Sequence, residues 1–374
     1  MKRILCFTLA FLLMPVVSAK AAPELNINAK SAILMEQSTG EILYEKDADL
    51  ELPIASVTKI MTMLLICEAI NDGKITLDDD VLVSERSMSM GGSTMFLETG
   101  DVIKVDEMLK GIAVASANDG TVAMAEHISG TEEEFVALMN KRAKDLNMQH
   151  TSFINTNGLD ADGHYSSARD VAVMSRELLK HPLIFNYTKI WTDTMRGGKF
   201  ELANTNKLIR FYDGATGLKT GSTSKAGCCL SATAERNGMG LIAVVLGAPD
   251  SNSRFGGARI LLDYGFSAYQ VKEILPSASE LGRVSIKGGT EKDVMCMVRE
   301  PKTILVSKGD KSEYSYYIEP YESIKAPIYE GDCLGDAIIT KDGEIIDRVQ
   351  IYAGSQVPKK TFFMSLKEVF KLLY

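Results

Sequence analysis

The chain is short of cysteine and histidine, carries a single tryptophan and has no basic stripe, and each shortage closes off a class of protein. Cys6 lies in the N-terminal run, and Cys67, Cys228, Cys229, Cys296 and Cys333 are an odd number scattered through apolar contexts. That is not the pattern of a disulfide scaffold, and buried free thiols are expected. Cys228 and Cys229 are adjacent and point to opposite faces of a strand, so they are not placed to pair with each other. The four histidines, His127, His150, His164 and His181, show no metal spacing such as His-Glu-x-x-His, and neither a metal nor another cofactor is expected. A net charge of -8 without a basic domain argues against a nucleic-acid partner. No low-complexity tract interrupts a composition of 45% hydrophobic and 24% charged residues, and 374 residues are enough for two domains with cores of their own.

The two ends differ from the body. Lys2-Arg3, the apolar stretch Ile4 to Val17 and small residues through Ala22 read as a secretory signal peptide over 1–21, with cleavage after Ala21 or Ala19. Roughly 14 apolar residues are short for a membrane span. The mature chain is therefore expected outside the cytoplasm, secreted or at the outer face of the cytoplasmic membrane. At the other end, 358–374 reads as an amphipathic helix with Phe362, Leu366, Val369, Phe370 and Leu373 on one stripe and Lys359, Lys360, Lys367 and Lys371 on the rest. Such a helix suits the headgroup region of an anionic leaflet; packing on its own protein is the other reading.

Between the ends, Ser31 to Glu36 and Glu41 to Glu45 read as a hairpin around Gln37-Ser38-Thr39-Gly40. The region 56–182 reads as mostly helical, with a capping box at Thr131 to Glu134, an N-cap at Ser167 to Asp170 and a stop at Pro182. Arg236-Asn237-Gly238 turns the chain between strands Leu230 to Ala234 and Leu241 to Leu246, and a helix is predicted over about Arg254 to Tyr264. Short alternating runs beyond about Gln270 (Arg283 to Ile286, Val294 to Val298, Thr303 to Val306, Tyr314 to Ile318, Glu344 to Tyr352) predict a small all-β domain. The expected division is 22–267 and 270–356, before the terminal helix.

Three short motifs stand in one order: Ser56-Val57-Thr58-Lys59, Ser116-Ala117-Asn118 and Lys219-Thr220-Gly221. They match the Ser-x-x-Lys, Ser-x-Asn, Lys-Thr-Gly set of enzymes acylated by penicillin. A second Ser-x-x-Lys, Ser222-Thr223-Ser224-Lys225, lies in a Gly/Ser-rich turn, whereas Ser56 opens the apolar run Ile60 to Ile66 of a buried helix. Ser56 and Lys59 are then one turn apart on one face.

A serine hydroxyl needs a base within hydrogen-bond reach, and with no Ser/His/Asp pattern evident Lys59 is the candidate. Burial and a second cation, Lys219, would lower its proton affinity. Ser56 at a helix N-terminus has an unpaired N–H, and a second N–H from Ser222 would complete an oxyanion hole. Gly221 leaves room for a substrate backbone beside its strand. Ser116 is placed as a proton relay between Lys59 and a leaving amine, and Asn118 as a holder of the substrate amide; both residue types also cap helix ends.

Together with Ile33-Leu34-Met35, Met95-Phe96-Leu97, Gly158-Leu159-Asp160, Tyr165 to Asp170 and Leu261 to Phe266, these motifs resemble the D-alanyl-D-alanine carboxypeptidases of the low-molecular-mass penicillin-binding protein family over nearly the whole chain. The resemblance implies a serine β-lactamase/transpeptidase-like α/β (α+β) domain, an antiparallel sheet flanked by helices, followed by the β-rich domain and a terminal amphipathic anchor. It implies that Ser56 attacks the bond between the terminal D-alanines of peptidoglycan stem pentapeptides, that water hydrolyses the acyl-enzyme, and that β-lactams acylate the same serine. By the same resemblance Arg254, supported by Thr220, would hold the substrate carboxylate. A class A β-lactamase shares the motifs but needs a glutamate within Glu-x-x-Leu-Asn, and this sequence has none. A non-catalytic β-lactam-binding scaffold is the other alternative.

Overall fold

A computed structural model describes residues 24–198, 200–276 and 281–364. The signal-peptide reading and most of the terminal-helix reading lie outside those residues.

The first unit is built on a five-stranded antiparallel sheet of β1 (Ser31–Glu36), β2 (Ile42–Lys46), β3 (Ala215–Thr223), β4 (Gly227–Arg236) and β5 (Met239–Ala248), in the order β2-β1-β5-β4-β3. The β1–β2 turn closes on Glu36, whose carboxylate accepts bonds from the Thr39 N–H at 2.7 Å and from the Ser38 and Thr39 hydroxyls at 2.8 Å. Asn237 and Gly238, with φ of 52° and 75°, make the β4–β5 turn that the Asn-Gly pair predicts. Strand β3 lies at an edge.

Helices cover both faces. On one lie α1 (Lys59–Asn71), α2 (Asn118–Ser129), α3 (Glu132–Asp145) and α4 (Ala168–Leu178), around a core that includes Ile33, Ile60, Met61, Phe135, Met174 and Val244. Ile60, Met61, Met63, Leu64 and Ile66 of α1 are all fully buried, which is why this helix reads as apolar on every side. Thr131 caps α3 by accepting from Glu134 N, and Ser167 caps α4 by accepting from Asp170 N. On the other face α5 (Ser251–Ala268) packs Phe255, Ala258, Leu261 and Leu262 against Leu34, Leu230 and Val245.

The helical region is less uniform than its sequence implies. A two-stranded ribbon, Asp80–Leu82 with Val102–Lys104, interrupts it, and Gly111–Ala115 forms a π-helical turn. Helix α5 is longer at both ends than 254–264: Asp250 caps its start, and the helix runs on through Gly265 to Ala268, ending where Tyr269 turns to extended geometry.

The second unit is all β. Strands β6 (Tyr269–Leu275) and β9 (Lys302–Ser307) form a ribbon, while β7 (Arg283–Ser285), β8 (Asp293–Met297), β10 (Tyr314–Pro320), β11 (Cys333–Lys341) and β12 (Glu344–Ala353) form a sheet in the order β7-β8-β12-β11-β10 around Val294, Leu334, Ile339 and Ile351. The predicted helix does not begin at Pro358. Val357 and Lys359 bridge to Ile328 and Gly289, and Thr290 N donates to the Pro358 carbonyl at 2.8 Å, so this segment is extended and paired to the β unit. Helical geometry begins at Phe362.

The Asp250 carboxylate accepts from Ser253 N at 2.7 Å at the start of α5. Asp250→Ala is expected to lower stability by about 1 kcal/mol, seen as a fall of about 2–4 °C in Tm; an unchanged melting curve would show that the cap contributes nothing.

Candidate active site

Ser56 sits in a 3-10 turn, Ala55–Thr58, immediately before α1 rather than inside it. Two glycines shape this turn. Gly158, with φ of 86°, lies so close that a methyl there would fall 1.9 Å from the Ala55 carbonyl oxygen. A methyl on Gly221 would come within 2.7 Å of the Ile54 oxygen and 2.8 Å of Ser56 N. The space that Gly221 leaves is therefore filled by the serine turn, not by a substrate backbone, which corrects the sequence expectation for that residue. Ala55 itself has φ of 48°, a conformation that L-residues adopt only when the surroundings enforce it.

Lys59 follows at the start of α1 and is 0% exposed. Its Nζ meets three oxygens: Ser56 Oγ at 2.8 Å, Asn118 Oδ1 at 2.6 Å and the Asn157 carbonyl at 2.8 Å. Two of these partners are pure acceptors, so they take the two N–H bonds of a neutral amine, and the lone pair is left facing the hydroxyl that can donate to it. Burial, first, and Lys219, second, hold Lys59 well below the usual lysine range; the nearby Asp119 carboxylate opposes them and is outweighed. A lysine held this way, within hydrogen-bond reach of a hydroxyl and with its charged form disfavoured, has the geometry of a general base.

Helix α2 supplies the next pieces. Ser116 ends the π-helical turn in left-handed geometry, φ 64° and ψ 35°, and is buried. Asn118 opens α2; besides bonding Lys59 it donates from Nδ2 to the Gly91 carbonyl at 2.6 Å. Its amide is thus committed within the protein, and a substrate contact would require one of these bonds to be exchanged. Asp119 accepts from Met95 N and Leu97 N, which fixes the 91–97 loop over the site.

Edge strand β3 forms the opposite wall. Lys219, 1% exposed, donates to the Thr220 carbonyl at 2.9 Å, and burial together with the Arg254 charge pushes its amine down to about 7. The Thr220 hydroxyl bonds Thr205 Oγ1 at 2.7 Å. Ser222 is exposed, with its Oγ 3.7 Å from Cys228 Sγ on β4. Arg254 projects from α5 to the same strand and donates from Nη1 to the Gly221 carbonyl at 3.0 Å, while its Nε is buried without a partner. The structure brings Ser56 and Asn118 together at the Lys59 amine, sets Lys219 near enough to lower that amine, packs Gly221 on the serine turn and joins Arg254 to the Gly221 carbonyl; Ser116 stands two residues before Asn118, and Thr220 and Ser222 flank Gly221 on β3. Sequence reasoning gave no role to Asn157, Gly158 or Asp119. Asn157 bonds Lys59 through its carbonyl, which no residue type signals, whereas Gly158 belongs to the Gly158-Leu159-Asp160 run that carries the resemblance and Asp119 follows Ser116-Ala117-Asn118 directly. Among the described residues no group of His, Cys, Asp and Glu is placed to hold a metal ion.

Residues 17–250 match the family model of the D-alanyl-D-alanine carboxypeptidases, and 269–359 match that of the penicillin-binding protein 5 C-terminal domain. The D-alanyl-D-alanine carboxypeptidase DacF of Bacillus subtilis is 46% identical over 352 residues, covering 93% of this chain and 90% of the relative. Among solved structures, penicillin binding protein 5 from Haemophilus influenzae superposes with a TM-score of 0.74 at 30% identity, covering 90% of this chain and 99% of that one. Penicillin-Binding Protein D2 from Listeria monocytogenes, solved in the ampicillin bound form, gives 0.60 at 32% identity over 65% of this chain and 100% of its own.

Gly221→Ala should reduce acylation of Ser56 by about 100-fold, because it displaces the turn that carries the nucleophile. Gly256→Ala, where the added methyl meets open space, should not; equal rates in the two variants would refute the packing argument. Lys219 binds its proton at about 7 in the folded chain and at 10.5 when exposed. Between those values the unfolded chain holds a proton that the folded chain lacks, so this residue makes stability rise with pH above about 7. Lys59 acts with the same sign. In urea unfolding, the gain in midpoint from pH 7 to 8.5 should be smaller in Lys219→Met than in the parent; an equal gain would contradict the assigned shift.

Proposed function

The chain belongs to the D-alanyl-D-alanine carboxypeptidase family of the low-molecular-mass penicillin-binding proteins, and from that membership we propose how its residues divide the reaction. The observation that carries the reading is the buried Lys59 amine with two fixed acceptors and Ser56 Oγ in its third direction.

Lys59 takes the Ser56 proton as Oγ attacks the carbonyl of the penultimate D-alanine of a peptidoglycan stem pentapeptide. The Ser56 N–H, free at the head of its turn, and the Ser222 N–H on β3 stabilise the oxyanion. A substrate strand aligned along the free edge of β3 supplies the register, with Lys219, Thr220 and Arg254 at its terminal carboxylate. Two cations and a hydroxyl at that end favour a substrate that finishes in a free carboxylate over one that continues. Ser116 passes the proton from Lys59 to the departing D-alanine, and Asn118 keeps Lys59 aimed at the serine. Water then hydrolyses the ester and regenerates Ser56. A β-lactam presents a strained amide and a carboxylate to the same groups, and on this reading it acylates Ser56, in keeping with the ampicillin-bound form of the Listeria relative.

We assign the catalytic unit to 22–267 and the β unit to 270–356, with export by the N-terminal segment and action outside the cytoplasm, where peptidoglycan lies. The segment after 361 is proposed to rest on the membrane surface. Phe362 and Phe363 are 75% and 80% exposed, and the following sequence continues an apolar stripe edged by lysines.

The test is release of D-alanine from a diacetyl-Lys-D-Ala-D-Ala peptide by the chain lacking its first 21 residues and the segment after 361, beside Ser56→Ala. Release that disappears in the variant is the expected result. No release from the parent, with a stable penicillin adduct on Ser56, would overturn the carboxypeptidase assignment in favour of a β-lactam-binding role.

A further inference from the structure

His164 has no part in the chemistry described above, yet it touches the serine turn. It lies in the segment 151–166 that connects α3 to α4 and is 5% exposed. The Ile154 N–H donates to its Nδ1 at 3.0 Å, and its Nε2 lies 2.7 Å from Thr58 Oγ1. A ring nitrogen that accepts from a backbone N–H carries no proton, so the proton sits on Nε2 and is donated to Thr58. Thr58 is the last residue of the serine turn and immediately precedes Lys59. Phe153 packs edge-on against the ring with centroids 5.9 Å apart.

The same segment carries the acceptor that orients the base. Asn157 receives Lys59 Nζ at 2.8 Å, the neighbouring Thr156 carbonyl receives Thr62 Oγ1 at 2.6 Å, and Gly158 packs on Ala55. The two ends of the segment are joined by the reciprocal Ser152 and Tyr165 backbone bonds at 3.0 Å. His164 links the start of this loop, through Ile154, to the start of α1, through Thr58. We infer that His164 is a positioning residue for acylation: its Nε2–H bond to Thr58 fixes the 151–166 loop on the serine turn and so keeps the Asn157 carbonyl on Lys59. Without that acceptor one N–H of the neutral amine has no fixed partner, and the lone pair is no longer forced toward Ser56 Oγ.

Burial holds the ring down to about 4, with the Asp160 carboxylate opposing, so the bridge persists wherever Lys59 acts as a base. Protonation would place a second N–H against the Ile154 N–H and break the bridge from the loop side.

The inference rests on the acyl-enzyme reading, and the experiment separates the two. Acylation by a fluorescent penicillin is resolved into a binding constant and an acylation rate constant for the parent chain, Thr58→Val, Thr58→Ser, His164→Asn and His164→Gln. Valine removes the acceptor at nearly constant volume and serine keeps it. Asparagine preserves an acceptor for Ile154 but does not reach Thr58, whereas glutamine reaches Thr58. The expected result is an acylation rate constant about 10- to 100-fold lower in Thr58→Val and His164→Asn, with the binding constant unchanged and with recovery in Thr58→Ser and His164→Gln. Variants that melt earlier but acylate at the parent rate would reduce His164 to a packing residue and overturn the inference. A parent chain that is itself never acylated would overturn the acyl-enzyme reading and this inference with it.

Discussion

A lysine with no exposed surface must find all its hydrogen-bond partners inside the protein, and in this chain that requirement organises the active site. The Lys59 amine draws one oxygen from the serine turn, one from the first residue of α2 and one from the main chain of the 151–166 loop. Three segments far apart in sequence are thereby fixed at a single nitrogen. A buried charge is expensive in such a place, which holds the amine well below the usual lysine range, and the acceptors that fix its position also decide which way the lone pair of its neutral form points. Positional order and basicity have one cause.

The same economy applies to the second lysine. Lys219 and Arg254 come close enough at the edge strand for their mutual repulsion to add to burial in lowering the lysine. Arg254 keeps one nitrogen buried without a partner while another bonds the Gly221 carbonyl. On the proposed reading, this cation meets the chain-terminal carboxylate of the substrate.

Much of this was legible in the sequence because chemistry that depends on side chains leaves residue types behind. Ser56, Lys59, Ser116, Asn118 and Lys219 announce themselves, as do the Thr131 and Ser167 caps and the Asn237-Gly238 turn. What escaped is carried by main chain or by context. Strand β11, Cys333–Lys341, is buried along most of its length and so has no alternating pattern, and β6 begins directly after Ala268 with no turn residue to mark the change from helix. Pro358 opens what reads as a helix, but pairing to the β unit claims the backbone groups there. The Asn157 carbonyl has no sequence signature, and His164, one of four histidines without metal spacing, gave no hint that it bonds a residue of the serine turn.

The contact between Gly221 and the serine turn is made of main-chain atoms on both sides. A wall built that way presents no side chain for substitution to alter, and every genetically encoded residue other than glycine adds the carbon that collides with it. An organism under antibiotic pressure therefore has little room to reshape this part of the pocket by point mutation. Variation is driven outward, to the exposed end of β3, where a change in shape need not move Ser56.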